Sequence, residues 1–290
     1  MLGSFFKDKS AKDKAAIDKL SYMGLFLLGV LSVFAVQAGK EKPDPATNCF
    51  RKIDGKIAVV LDKTDFIPKQ TQDEIVKRAW DSIIKNAQAG DLISVYEITQ
   101  KSLFDLKPVF SMCLPKMGKD SNELVENSRV LDVKFKESFE KPLLDVLSKN
   151  TGQAQNSPIA EAITDINLSD AMRDAEQGRI LLFSDLMQHS SNVSTYQCKN
   201  AEVPIAQFRK SRQGSVEPRP LFKNVYVELH LIPRLGITEL ESKCRATFWH
   251  WFFGNMEKTG EAKIGISMLD LPGAYGTAIP NDPNTATKQP

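Results

Sequence analysis

Residues 57–68 read IAVVLDKTDFIP. The apolar run ends abruptly at Asp62, Thr64 and Asp65, and Pro68 then breaks the pattern. An uninterrupted apolar run of this kind is typical of a parallel strand that is buried on both faces of a sheet. The oxygen-bearing side chains that follow it predict either a polar turn or a ligand site at the mouth of the sheet.

The rest of the chain alternates short apolar strands with helical patterns. Strands are predicted at residues 56–61, 91–99, 106–112, 179–183, 225–232 and 263–269. Helices are predicted near residues 71–90, 120–150 and 238–253, and a further helix begins at residues 157–158. Residues 190–220 have few periodic features and are predicted to be irregular. The alternation predicts an α/β fold, a mainly parallel doubly wound sheet with helices on both faces. Ligands of such sheets bind at the carboxyl ends of the strands.

Three helix starts carry capping signals. Thr71 and Glu74 have the spacing of a capping box, and so do Thr238 and Glu241. Ser157 stands before a proline, which predicts that its side chain caps the next helix.

An uncharged and mostly apolar segment lies between Lys19 and Lys40. It is just long enough to cross a hydrocarbon core of roughly 30 Å as a helix. The five lysines that precede it favour a cytoplasmic N-terminus. The sequence therefore predicts a single-pass inner-membrane protein whose main domain is periplasmic. A signal peptide cleaved after Ala38, which would release a secreted domain, remains the alternative.

Composition fits one exported globular domain. The chain has 290 residues, of which 42% are hydrophobic and 26% charged, and this leaves room for a sizeable core. Its net charge of +2 arises within the first nineteen residues. The rest of the chain is neutral and has no basic stripe of the kind that nucleic-acid-binding proteins carry. The predicted organisation is a cytoplasmic tail (1–19), a transmembrane anchor (20–39), a linker (40–53), one globular domain (54–271) and a disordered tail (272–290).

The four cysteines are widely spaced and form no CxxC pair, which excludes zinc-knuckle and thioredoxin-type motifs. Two disulfides are expected in an oxidising compartment. Of the three possible pairings, the strand order favours Cys49–Cys113 and Cys198–Cys244. The alternative, that some of the four are buried free thiols, remains open.

Side chains at the strand ends resemble those of a von Willebrand factor A domain over roughly residues 54–271. That family holds a divalent metal with an Asp-x-Ser-x-Ser loop, a Thr in a second loop and an Asp in a third. The resemblance implies that Asp62, Thr64, Ser157 and Asp185 are the metal ligands, although each could instead make a turn or a cap. Phe66 stands where the family has its second Ser, so a weak or vestigial site remains open.

The resemblance implies a binding module rather than an enzyme. A partner protein's carboxylate would complete the coordination of Mg²⁺, with Mn²⁺ or Ca²⁺ less favoured and no ion at all as a further alternative. Asp65 and Phe66 would contact that partner, within a bacterial envelope or secretion-related assembly. Two alternatives stay open: an exported metal-dependent hydrolase using Asp62 and Asp185, and a purely structural scaffold subunit held by its anchor.

Overall fold

The computed structural model describes residues 20–29, 32, 41, 43–99, 106–122, 124–149, 154–215, 218–254 and 266–271. The chain divides into two compact units, Met1–Pro43 and Asp44–Pro290. In the first, residues 20–29 are helical, and the rest of the predicted anchor apart from residue 32 lies outside the described residues, as do both predicted tails. Within the described part of the chain, no helix is both long enough and apolar enough to cross a membrane.

The second unit is built on a six-stranded sheet. Its strands are β1 (Gly55–Asp62), β2 (Leu92–Ile98), β3 (Phe110–Cys113), β4 (Gln177–Ser184), β5 (Val225–Leu231) and β6 (Ile266–Asp270). They lie in the order β3-β2-β1-β4-β5-β6, and all neighbours are parallel except β2 and β3. The predicted mainly parallel α/β sheet is confirmed.

Residues 57–61 of strand β1 are all apolar because both faces of the strand are covered. Ile57, Val59 and Leu61 belong to one hydrophobic cluster, whereas Ala58 and Val60 belong to the other. Successive side chains of a strand point to opposite faces, so these two clusters are the two cores of the fold. Residues 57–61 of β1 therefore contribute side chains to both cores.

Helices cover both faces of the sheet, as predicted. The helices are α1 (Lys69–Asn86), α2 (Ser128–Phe135), α3 (Lys141–Ser148), α4 (Ile159–Leu168), α5 (Val203–Ser211) and α6 (Glu239–Phe252), and a π-helical turn at Lys136–Glu140 joins α2 to α3. Buried residues of α1, α2 and α3 pack in the cluster of Ile57, and those of α4, α5 and α6 pack in the cluster of Ala58. The aromatic residues of α6 are mostly core, including Phe248 and Phe252.

Helix starts agree only in part with the capping signals. The capping box of Thr238 and Glu241 is present at the start of α6. The one predicted from Thr71 is wrong, because α1 begins two residues earlier at Lys69 with Pro68 at its N-cap and no side-chain cap. Helix α5 lies within the stretch that was predicted to be irregular, so that prediction is wrong for residues 203–211. The helix is short and begins with Pro204, and its few apolar residues do not form a clear helical periodicity.

Both predicted disulfides are present, Cys49–Cys113 and Cys198–Cys244, and no cysteine is left free. The first joins the segment before β1 to the end of edge strand β3. In the same place, the backbone N–H of Cys113 donates to the carbonyl of Thr47 (2.8 Å). The linker is therefore fastened along the edge of the sheet before the chain enters its centre.

Candidate functional site

The strand order reverses between β1 and β4. The chain runs from β1 outward through β2 and β3, and then crosses back to β4 on the other side of β1. In open α/β sheets the crevice outside the carboxyl ends at such a reversal is the usual ligand site. Asp62 ends β1 and Ser184 ends β4, and Asp185 follows directly. We call the surface formed by the loops after β1, β4 and β5 and the start of α4 the rim.

Three hydroxyl groups converge on the buried carboxylate of Asp62. Thr64 Oγ1 donates to Asp62 Oδ1 at 2.6 Å. Ser184 Oγ donates to Asp62 Oδ2 at 2.7 Å, and Ser157 Oγ reaches the same oxygen at 3.2 Å. Asp62 is 6% exposed, so these donors replace the water that a carboxylate otherwise requires. The predicted residues Asp62, Thr64 and Ser157 are thus brought together.

Backbone pairing, and not a helix cap, places Ser157. Its N–H and carbonyl exchange hydrogen bonds with His189 (2.7 and 2.9 Å) in an isolated bridge. Helix α4 begins at Ile159 with Pro158 at its N-cap and no side-chain cap bond. The hydroxyl of Ser157 is therefore free to turn toward Asp62, and the capping alternative for this residue is wrong.

A buried arginine joins the other two carboxylates of the rim. Nη1 of Arg234 donates to Asp65 Oδ2 at 2.5 Å and also to Asp185, and Nη2 donates to Asp65 Oδ1 at 3.2 Å. The side chain of Arg234 is 0% exposed. Its guanidinium also faces the ring of Tyr196, with 5.5 Å between the guanidinium carbon and the ring centroid. The other carboxylate oxygen of Asp185, Oδ1, accepts a hydrogen bond from the N–H of Met187 at 2.9 Å.

The electrostatics of the rim follow from this crowding. Burial raises the pKa of Asp62 to about 6, and the negative charge of Asp185 adds to that rise. Burial also raises the pKa of Asp65, against the opposing effect of Arg234. Burial alone would lower the pKa of Arg234, but Asp185 and Asp65 raise it overall. Arg234 therefore lowers the pKa of Asp65 against the effect of burial, whereas the hydroxyl groups of Thr64 and Ser184 lower the pKa of Asp62.

Two residues of this hydrogen-bond network, Ser184 and Arg234, are not marked by any sequence motif. Ser184 follows the apolar run of β4 and directly precedes Asp185, so its place at a strand end was the available signal. Arg234 comes after the break at Pro233 that follows β5, and nothing in its local sequence indicates that its side chain is buried. Only the spatial meeting of the loops after β1, β4 and β5 reveals it.

Exposed apolar side chains flank the buried ion pairs. Phe66 is 52% exposed beside Asp65, and Leu235 is 61% exposed beside Arg234. Asp65 and Arg234 are hydrogen-bonded, so each of the two apolar residues is the chain neighbour of one partner in this contact. The contact of Asp65 and Phe66 with a partner stays a prediction.

The rim does not fit a resident divalent cation in this arrangement. Hydroxyl and carboxylate oxygens suit Mg²⁺, but every carboxylate oxygen of Asp62, Asp65 and Asp185 already accepts a hydrogen bond. No group of three or more His, Cys, Asp or Glu side chains placed to hold a metal is found in the described ranges. The predicted ligand set Asp62, Thr64, Ser157 and Asp185 remains an untested prediction.

Two larger cavities lie elsewhere. One of about 700 Å³ is apolar and is lined by α6 with β5 and β6, including Trp249 and Phe253. The other, of about 600 Å³, is polar and lies between α1 and the same strands, with Arg179 and His230 in its wall. Neither is lined by Asp62 or by another rim carboxylate, so neither supplies the deep substrate pocket that the hydrolase alternative requires.

No protein-family model matches this sequence, and no match is found among curated proteins. Solved structures give distant likenesses. An aerotolerance-related membrane protein from Bacteroides fragilis NCTC 9343 is 10% identical over 76% of this chain and 92% of its own (TM-score 0.31). Proximal thread matrix protein 1 of the mussel byssus, whose structure has a zinc-occupied MIDAS motif, is 16% identical over 80% of this chain and 45% of its own (TM-score 0.35).

A third likeness is the conserved hypothetical protein BatB from Bacteroides thetaiotaomicron, which is 13% identical over 74% of this chain and 90% of its own (TM-score 0.32). All three TM-scores are below 0.5. None of these likenesses therefore assigns this chain to a family or gives it a function.

Proposed function

We propose that this protein is an exported, membrane-anchored binding module that engages a partner protein through the rim. The observation that carries the proposal is the pair Phe66 and Leu235, which are both exposed beside the buried contact of Asp65 with Arg234. Aromatic residues such as Phe66 are enriched at protein interfaces relative to the rest of the surface. The partner would cover this pair.

The base beneath these anchors is rigid. Arg234 connects the loop after β5 to the loops after β1 and β4, and Ser157 connects Asp62 to the start of α4. Loops that are already ordered lose little conformational entropy when a partner binds. The rim therefore meets the main physical requirement of a recognition surface, which is a preorganised arrangement of contact groups.

The setting of the proposal rests on the N-terminal segment and the cysteines. An apolar segment after five lysines favours insertion into the inner membrane. Two disulfides suit a domain that lies outside the cytoplasm. The resemblance to a von Willebrand factor A domain supports a role in protein recognition within an envelope assembly.

Site-specific photo-crosslinking in the native host tests the proposal. A photoreactive phenylalanine analogue is placed at Phe66, at Leu235 and, as a control, at Val133, which is 63% exposed on α2. Positions 66 and 235 should trap one and the same protein, and position 133 should not. Adducts of equal yield at all three positions, or none at 66 and 235, would contradict a binding rim.

The apolar character of the contact is tested separately. Truncating an interface anchor typically weakens binding at least tenfold, so Phe66→Ala should reduce the yield of the adduct at position 235 by about that factor. Val133→Ala is the matched control, because it also removes an exposed apolar side chain. An unchanged yield with Phe66→Ala would remove Phe66 from the interface.

A further inference from the structure

The rim contains its own cation. Its three carboxylates belong to Asp62, Asp65 and Asp185, and all three are buried or nearly so. Carboxylates taken out of water require an opposite charge or strong donors nearby. Here that charge is the guanidinium of Arg234, which contacts two of the three and has a fully buried side chain.

We infer that Arg234 takes the place of a divalent metal at this rim, which makes the rim a permanently metal-independent version of a metal-site architecture. A guanidinium suits this position because it is charged at every accessible pH and presents several N–H donors in one plane. One face of the group lies against Tyr196. Unlike a bound ion, it cannot dissociate on dilution or be removed by a chelator.

The contacts of the three carboxylates disfavour a second cation. Both oxygens of Asp65 are taken by Arg234, and those of Asp185 by Arg234 and the N–H of Met187. Asp62 accepts from hydroxyl groups on both of its oxygens. A metal would have to displace these donors and would meet the positive charge of Arg234, which disfavours its binding.

The replacement also changes how a partner is recognised. A metal with an open coordination position captures a partner's carboxylate, but the guanidinium of Arg234 is fully enclosed and can contact no outside group. Recognition would then depend on the apolar pair Phe66 and Leu235. This last step rests on the proposed function, whereas the metal independence of the rim does not.

Titration of the full chain, in detergent, with Mn²⁺ tests the inference. Calorimetry of the wild-type protein should show no saturable binding up to millimolar Mn²⁺, and the melting temperature should be the same in Mg²⁺, Mn²⁺ or chelator. Saturable binding that Asp62→Asn abolishes would overturn the inference, whatever the photo-crosslinking experiment shows.

Variants of the arginine give the second measurement. Arg234→Met should lower the melting temperature by roughly 10 °C, because it leaves buried carboxylates uncompensated. It should also acquire a saturable rise in melting temperature with Mn²⁺, and Arg234→Lys should acquire less or none. Arg245→Met is the matched control, since Arg245 donates to the backbone carbonyl of Asp185 (3.0 Å) and not to its carboxylate.

The control variant should remain indifferent to Mn²⁺. An Arg234→Met variant that folds but gains no response to metal would overturn the inference, because Arg234 would then not be standing in for a cation. If Arg234→Met does not fold, the comparison of the wild type with Asp62→Asn decides the matter alone.

Discussion

At the scale of single residues, the hydroxyl of Ser184 has two tasks. It donates to Asp62 and accepts the N–H of Leu186 at 2.8 Å. Leu186 is buried with a positive φ of 61°, a conformation that costs a side-chain-bearing residue about 1–2 kcal/mol. Two hydrogen bonds hold Leu186 in this conformation. Its N–H donates to Ser184 Oγ, and its carbonyl accepts from the indole N–H of Trp249 at 2.7 Å. The turn that presents Asp185 is therefore fixed from both sides.

We expect Ser184→Ala to lower the free energy of unfolding by about 1–3 kcal/mol, because the buried N–H of Leu186 loses its acceptor and Asp62 Oδ2 keeps only the longer bond from Ser157. Equilibrium unfolding in urea measures the change. Ser148→Ala is the control, since its hydroxyl bonds to a carbonyl in an exposed place. A loss no larger than that of the control would show that Ser184 does not support the rim.

The site was predictable from sequence only where its residues sit at strand ends. Asp62, Thr64 and Asp185 follow apolar runs, so their shared edge follows from the parallel sheet. Arg234 could not be predicted, because its burial is a property of three loops meeting and not of its neighbours in sequence. Phe66 was predicted to contact a partner; its side chain is exposed, and the contact itself stays a prediction.

At the scale of elements, strands were predicted more reliably than helices. All six predicted strands are present, with ends displaced by a few residues, because an apolar run is a direct record of burial on both faces. Helix boundaries depend on local competition, and α1 shows this. Thr71 has the spacing of a capping residue but is fully buried within the first turn of α1, and its hydroxyl has no hydrogen-bond partner in the structure.

Thr71→Val should therefore raise the free energy of unfolding by about 1 kcal/mol, since it replaces an unpaired buried hydroxyl with a methyl group of the same shape. Urea unfolding is the measurement. Thr164→Val in α4 is the matched control: its hydroxyl is also buried but donates to the carbonyl of Ala160 at 2.7 Å. That substitution should be neutral or destabilising, and a gain as large as that of Thr71→Val would refute the explanation.

At the scale of the whole molecule, a disulfide ties the segment before β1 to the edge strand β3. Cys49–Cys113 spans 64 residues and encloses β1, β2 and most of β3 in a single loop. Cys198–Cys244 spans 46 residues and joins the segment before α5 to α6. Each disulfide therefore connects parts of the chain that the sheet or its helices already hold near one another.

Replacing Cys49 and Cys113 together by Ser should cost about 4 kcal/mol of stability by the loop-entropy relation, since a long loop is released in the unfolded state. Thermal unfolding of the double variant, with and without reductant, measures the loss. With reductant, the wild type and the double variant both lack both disulfides, so they should melt together and below the double variant without reductant. If the double variant melts with the wild type, the edge contact of Thr47 with Cys113 alone fastens the linker.

The fastening of the linker also decides how the domain withstands tension. If the N-terminal segment is pulled, the force leaves the backbone at Cys49 and enters the sheet at Cys113, at the end of edge strand β3. Strand β1, which would otherwise be next in line, lies inside the covalent loop and is separated from β3 by β2. Tension on the N-terminus would thus load the edge strand first, two strands away from β1 and the carboxylate of Asp62 at its end.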